Sequence, residues 1–395
     1  MNSSLDKSLA ELSHIEVLAR LRELARSVVA AEAERVDQER AWPRTGMNAL
    51  LEAGLGGMVV SREQGGLGYG LLATAQACEI LGQECASTGL CFGMHLVGSA
   101  VISAKATPEQ QHKFLDPINQ GRHVTTLALS EPGTGSYFYL PETKLQEVPG
   151  DQFRVDGGKS FVTSGSHADS YVISAAPAEP DAPPGQFSCV LVPAEAPGLT
   201  WGPLWNGLGM RGNASRTLTF HEALIPKSHL LGDAGDQIWY VFEVIAPYFL
   251  MAMAGTYLGV ASTALEEVRT HLTARRYTHS GLSLSRQTVV QHRLGQLWAE
   301  VESARQLIYS AAALGDRQAP DALPSILSAK AEVADCVVHV VNEAMTLTGG
   351  MGYQDNSRLG RCLRDARAAH VMAPTTDMLR TWTGRALLDL PLLGE

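Results

Sequence analysis

The chain has 395 residues, 45% of them hydrophobic, with 38 glycines and 19 prolines, enough apolar mass for a large core spread over two or three packed units. A formal net charge of -10 disfavours nonspecific nucleic-acid binding, which depends on neutralising phosphates, but leaves room for a small anionic cofactor held by a few local arginines. The 6 cysteines form no CxxC pair and the 12 histidines include no HExxH or tight cluster with acids, so no metal site is expected.

The opening MNSSLDKSLAELSHIE lacks an apolar run of signal-peptide length. No window reaches about 18 uncharged apolar residues, so neither a membrane span nor export is expected, and the expected location is cytoplasmic. HIEVLARLRELARSVVAAEAERVDQERAWP repeats apolar residues at positions 15, 18, 19, 25, 28 and 29, the rhythm of one buried helix face, with Pro43 marking its end. TGMNALLEAGLGG gives a short second helix, and the glycine-rich SREQGGLGYG precedes a third, LLATAQACEILGQEC. GLCFGMHLVGSAVISAKA is apolar all round and reads as an interior helix, followed by a Thr107 cap in TPEQ. These helices form an amino-terminal unit over 1–122.

Near Arg122 the texture changes to short β-prone runs such as HVTTLALSEP, QFRVDGGKSFV, SYVISAAPA, QFSCVLVPA and RTLTFHEALIP, separated by Pro, Gly and Asp turns. They predict a β domain over 123–233, with the proline-rich PAEPDAPPGQ as a surface loop. Helical rhythm resumes over 234–395. HRLGQLWAEVESARQLIYSAAALG repeats at 294, 297, 298, 301, 304, 308 and 311, and SAKAEVADCVVHVVNEAMTLTGG ends in a glycine stop at Gly349 and Gly350. The order helices, strands, helices makes an α+β chain.

Two stretches carry chemistry. LALSEPGTGS ends a strand in a turn whose free backbone N–H groups and hydroxyls suit carbonyl or phosphate oxygens, though a plain turn between strands has the same composition. CLRDARAAH packs Arg364, Asp365 and Arg367 into four residues at an expected helix start, where an exposed ion-paired face is the bland alternative. His95, in the apolar helix, reads first as a satisfied structural histidine.

Taken in order, ARSVVAAEAERVDQERAWP, GLGGMVVSREQGGLG, LALSEPGTGS, VDGGKSFVTSG, LGMRGNASRTLTFHEALIPKSHLLG and MTLTGGMGYQDNSRLGRCLRDAR resemble the acyl-CoA dehydrogenase family over nearly the whole length. The resemblance implies an amino-terminal all-helical domain, a middle β-barrel or sandwich domain and a carboxy-terminal four-helix bundle, assembled as a homodimer or homotetramer with FAD. It also implies an acyl-CoA or carrier-bound acyl thioester as substrate, and an external electron acceptor or oxygen. By motif it places Leu129 and Ser130 on the flavin, Ser136 near the pantetheine or phosphate region, Phe161 in the place of a tryptophan beside the flavin ring, and Thr163 near flavin N5. Thr375 falls in the same cofactor set. Arg275 or Arg276, Gln287, and the pair Gly349 and Gly350 fall where the family reaches the FAD of the neighbouring subunit.

The sequence departs from the pattern at several points. Tyr137 replaces an aspartate in the run YFYLPE, and Thr346 replaces a glutamine before the glycine pair. In HVMAPTTDMLR the position of the family's glutamate base is Ala373, followed by Pro374 rather than glycine. A carboxylate suits α-proton removal because burial raises its pKa. The nearby candidates are Asp377, about one helical turn further on, and Glu243, upstream of Tyr248, where other members carry the base; a surface or capping role is the alternative for Asp377. His95 is a third candidate as acid, base or oxyanion donor. Without the base, the expected function is an FAD-dependent oxidoreductase on an acyl thioester with non-standard chemistry. The alternatives are a flavin monooxygenase or oxidase on a non-CoA substrate, and a degenerate member acting as a partner or scaffold.

Overall fold

The computed structural model describes residues 9–393 apart from 180, 182 and 184. The proline-rich loop and the amino-terminal start named above lie partly outside the described residues. The long first periodicity forms α1 (His14–Leu24) and α2 (Ala30–Gln38), joined through one π-helical turn, Ala25–Val29. Ser13 and Glu16 close a capping box at the start of α1, which satisfies two otherwise orphaned N–H groups. Helices α3 (Arg44–Glu52), α4 (Leu71–Glu84) and α5 (Ala86–Ala104) follow.

The middle of the chain is an eight-stranded sheet in two leaves. Strands β1 (Thr125–Ala128), β4 (Ser170–Pro177), β5 (Ser188–Pro193) and β8 (Leu230–Leu231) form one leaf. Strands β2 (Lys144–Val148), β3 (Gln152–Val162), β6 (Leu199–Leu204) and β7 (Arg216–Pro226) form the other. A two-residue parallel register between β2 and β4 joins the leaves. β4 and β5 are buried on both faces nearly end to end, which is why they read as continuous apolar runs.

The last region holds α6 (Ala246–Ala274), α7 (Thr288–Asp316), α8 (Ala322–Thr348), α9 (Arg358–Ala366) and α10 (Thr376–Leu387). The expected stop at Gly349 is observed, with a φ of 59° that favours glycine. The RDAR run falls at the end of α9 rather than at a helix start, and α7 leaves Trp298 of its periodic set 59% exposed. By length and composition, α5 and the segment Gln237–Ala274 are apolar enough to cross a membrane, contrary to the sequence expectation, but 94% and 83% of their apolar windows are buried inside the protein. They are core helices. Small residues let α4 and α6 touch along their backbones: a Cβ on Gly255 would meet the Ala75 carbonyl at 2.1 Å, and one on Gly82 would meet the Thr256 carbonyl at 2.4 Å. This close seam locks the amino-terminal helices to the carboxy-terminal bundle and fixes the walls of the space between them and the sheet.

Candidate active site

A cavity of about 840 Å³ opens where the three regions meet. Its β-domain wall contains Leu129, Ser130 and Ser136 from the LALSEPGTGS turn, Phe161 and Thr163 from the end of β3, and Met210 and Asn213 from the loop before β7. The opposite wall comes from Leu90 and Met94 of α5, from Ile245, Ala246 and Phe249, and from the bend Ala368–Pro374 between α9 and α10.

The β wall is built by distorting regular structure. β3 and β7 lose register between Lys159 and Val162, and this bulge holds Phe161 at φ 54°, a conformation a bulky side chain rarely adopts. The ring turns outward, 59% exposed, and meets Trp205 edge-on at 5.4 Å. Ser164, Met210 and Ala214 also have positive φ, so non-glycine strain gathers beside the cavity, as it does at functional sites elsewhere.

The turn itself is clamped. The buried Glu131 carboxylate accepts the N–H groups of Glu142 at 2.7 Å and Thr143 at 3.1 Å, and the fully buried Lys159 ammonium pairs with it. Lys159 also donates to the Ser174 carbonyl at 2.6 Å. Burial pulls the Lys159 pKa down to about 8 against the pull of Glu131; geometry this tight argues for a charged pair. A Cβ on Gly133 would lie 2.5 Å from the carboxylate of the exposed Glu142, a side-chain end that can swing aside.

The arginine-rich run docks the loop before β7. Arg364 pairs with Asp37 of α2, and Asp365 accepts the Met210 N–H. A Cβ on Gly209 would sit 2.2 Å from the Arg364 carbonyl. Burial pushes the Asp365 carboxyl up to about 6, Asp37 adds to the rise, and the Met210 N–H and two arginines oppose it. The exposed ion-paired face expected of this run is thus largely an inward tether.

Of the residues singled out in the sequence, Leu129, Ser130, Ser136, Phe161, Thr163 and Ala373 line the cavity. Thr375 does not; it caps α10, its hydroxyl accepting the Met378 N–H at 3.4 Å. Arg275, Arg276, Gln287, Gly349 and Gly350 are exposed and away from the cavity.

None of the three catalytic candidates lines the cavity. Asp377 and Glu243 are exposed and line no part of the cavity, because the helical turns that carry them aim them at solvent. His95 is fully buried behind the wall: its Nε2–H donates to the Gly56 carbonyl at 3.0 Å, and Nδ1 accepts the Thr125 N–H at 3.2 Å. Burial lowers its pKa to about 4, and both ring nitrogens are engaged by backbone groups. Sequence reasoning missed the wall residues Met94, Phe138, Trp205, Phe249 and Met372, and it missed the Glu131–Lys159 clamp. A lysine inside an otherwise β-prone run was the available signal for the clamp.

Three family models match the chain: the acyl-CoA dehydrogenase N-terminal domain over residues 12–122, the middle domain over 126–223 and the C-terminal domain over 248–388. The chain belongs to the acyl-CoA dehydrogenase family and is an FAD-dependent oxidoreductase of that family. Human mitochondrial short-chain specific acyl-CoA dehydrogenase is 30% identical over 93% of this chain and 88% of its own length. A probable acyl-CoA dehydrogenase of Bacillus subtilis is 27% identical over 93% and 96%. The structure of an acyl-CoA dehydrogenase from Geobacillus kaustophilus, 26% identical, superposes with a TM-score of 0.87 over 96% of this chain and 99% of that one. Butyryl-CoA dehydrogenase from Megasphaera elsdenii, 23% identical, shares the fold at a TM-score of 0.89, again over 96% and 99%.

The residues present fit FAD. Among the described residues, the hydroxyls of Ser130 and Thr163 line the cavity with no protein hydrogen-bond partner, and Phe161 presents an exposed ring beside them. A flat, polar-edged group needs these features: ring contact on a face and donors at an edge.

Proposed function

We propose that this flavoenzyme transforms an acyl thioester, either an acyl-CoA or a carrier-bound acyl group, without a side-chain carboxylate as base. One observation carries the reading: among the described residues, the only carboxylate lining the cavity is Glu131, which Lys159 and two backbone N–H groups already occupy. The cations on the wall are also engaged, Arg364 with Asp37 and Arg367 with His370. Ala373 leaves a methyl where a proton acceptor would stand.

FAD, when bound, supplies two-electron redox chemistry, and Leu129, Ser130, Phe161 and Thr163 are the residues that would hold it. The chain's own contribution is a dry, apolar compartment. Ile245, Ala246, Phe249, Met372 and Ala373 exclude water from an acyl group and orient it against the β wall. Arg275, Arg276, Gln287, Gly349 and Gly350 lie outside the chain's own cavity, which supports assembly as a homodimer or homotetramer in which they serve a neighbour's cofactor.

The test is anaerobic mixing of purified, flavin-loaded protein with a panel of acyl-CoAs while recording flavin absorbance. The expected result is binding without bleaching. Rapid bleaching by an acyl-CoA would show that substrate reduces the flavin through a base, and would overturn the reading. Absence of acyl-CoA binding, with oxygen consumed once a reductant is supplied, would favour a monooxygenase or oxidase on a substrate without CoA. Protein that takes up no flavin would favour a scaffold.

A further inference from the structure

Lys330 lies on α8, fully buried, and no carboxylate pairs with it among the described residues. Its ammonium donates to the carbonyls of Ala369 at 2.8 Å, Pro374 at 3.0 Å and Met372 at 3.3 Å. An ammonium has three donors, and here all three are used on one short stretch of backbone. That stretch is the bend between α9 and α10, where the single turn Ala368–Val371 ends and Met372 leaves helical geometry at ψ 122°. The three carbonyls take no backbone N–H among the described residues, so without Lys330 the buried Ala369 and Pro374 carbonyls and the half-buried Met372 carbonyl would lack a strong protein donor. A second contact holds the same bend from below, Tyr257 Oη meeting Met372 Sδ at 3.7 Å.

We infer that Lys330 is the positioning residue of the substrate wall: its ammonium gathers the Ala369, Met372 and Pro374 carbonyls and so holds Val371, Met372 and Ala373 at the cavity surface. Burying an ammonium away from a carboxylate is costly, and only converging carbonyls offset that cost. The arrangement places a positive charge immediately behind residue 373, flanked by the carbonyls on either side of it. The wall at this point is therefore set from α8, across the bundle, and not by α9 and α10 alone. The functional consequence rests on the acyl-thioester reading above; the positional claim does not.

The experiment compares wild type with Lys330→Met, which keeps the length of the stem and removes the charge, and with Lys330→Gln, which keeps two donors. Amide hydrogen exchange is followed by mass spectrometry in the FAD-loaded protein, and octanoyl-CoA affinity by perturbation of the flavin spectrum. The expected result for Lys330→Met is exchange accelerated about 10-fold or more in peptides spanning residues 368–376 and unchanged in α4 and α6, with octanoyl-CoA bound about 10-fold more weakly. Lys330→Gln should recover part of both. Unchanged exchange in 368–376 would overturn the inference, and so would acceleration spread evenly over the chain, which would make Lys330 a general core residue. Should Lys330→Met fail to fold, Lys330→Gln decides on the same two criteria. If wild type binds no octanoyl-CoA, the acyl-thioester reading fails and the exchange pattern still decides the role of Lys330.

Discussion

The two walls of the cavity are built on opposite principles. The β wall is polar, strained and clamped: hydroxyls left open at Ser130 and Thr163, a ring forced outward at Phe161, and a loop closed on the Glu131–Lys159 pair. The helical wall is mainly apolar: its two lining arginines, Arg364 and Arg367, are paired with Asp37 and His370, and Lys330 supports the bend from behind the surface. The difference teaches a division of labour. On the proposed reading, a group of fixed shape is met by strained, polar backbone that cannot adapt, whereas an apolar acyl group is met by side chains on helices, where a residue such as Ala373 can be exchanged without disturbing the fold.

The largest effect should come from making the helical wall polar. Ala373→Glu is expected to raise flavin reduction by acyl-CoA about 10²–10⁴-fold, the usual contribution of a placed general base, and Ala373→Gln should give no gain in the same stopped-flow assay. Breaking the clamp of the β wall comes next. Glu131→Ala leaves the Lys159 ammonium buried without its acid, and denaturant titration should show a loss of about 3–5 kcal/mol; Glu131→Gln combined with Lys159→Met should cost less than that single change.

A pH effect of roughly 1–3 kcal/mol is expected at Asp365, where α9 meets the Met210 loop. Its folded-state pKa of about 6 lies above the roughly 3.9 of an unfolded chain, so the folded protein holds an extra proton between those values. The stability from this group is fully present below the unfolded value and is lost as pH rises through about 6. Asp365→Asn still accepts the Met210 N–H, and unfolding measured across pH 4 to 7 should show wild type losing stability relative to this variant as pH rises. The smallest effects should come from the two outward carboxylates. Asp377→Asn and Glu243→Gln should leave turnover unchanged and stability within about 0.5 kcal/mol; a large loss of activity in either would mean that the helical wall rearranges in solution to bring a carboxylate inside.

The fold was legible because its signals are local. Apolar periodicity marks α1, α2 and α7, continuous apolar runs mark α5, β4 and β5, and glycine marks the end of α8. On the β wall, the family resemblance named Leu129, Ser130, Ser136, Phe161 and Thr163, and all five line the cavity, since strand ends and turns hold their register. The helical wall was harder to read. Whether Asp377 or Glu243 faces inward depends on the rotation of a helix set by contacts far away in the chain, and His95 takes its partners from Gly56 and Thr125. Lys330 gave no sign in sequence, because a lysine in a helix ordinarily belongs to a solvated face and only the fold reveals three carbonyls converging on it.

The outward position of Arg275, Arg276 and Gln287 bears on how the protein behaves when diluted. If a neighbour supplies part of each cofactor site, as proposed, occupancy obeys mass action between subunits: flavin content should fall as the protein is diluted toward the subunit dissociation constant, and reconstitution of apoprotein should be second order in chain concentration when association is the slow step. A pale preparation at low concentration would then report separated subunits rather than a defective site, and concentrating it with FAD should restore the yellow colour.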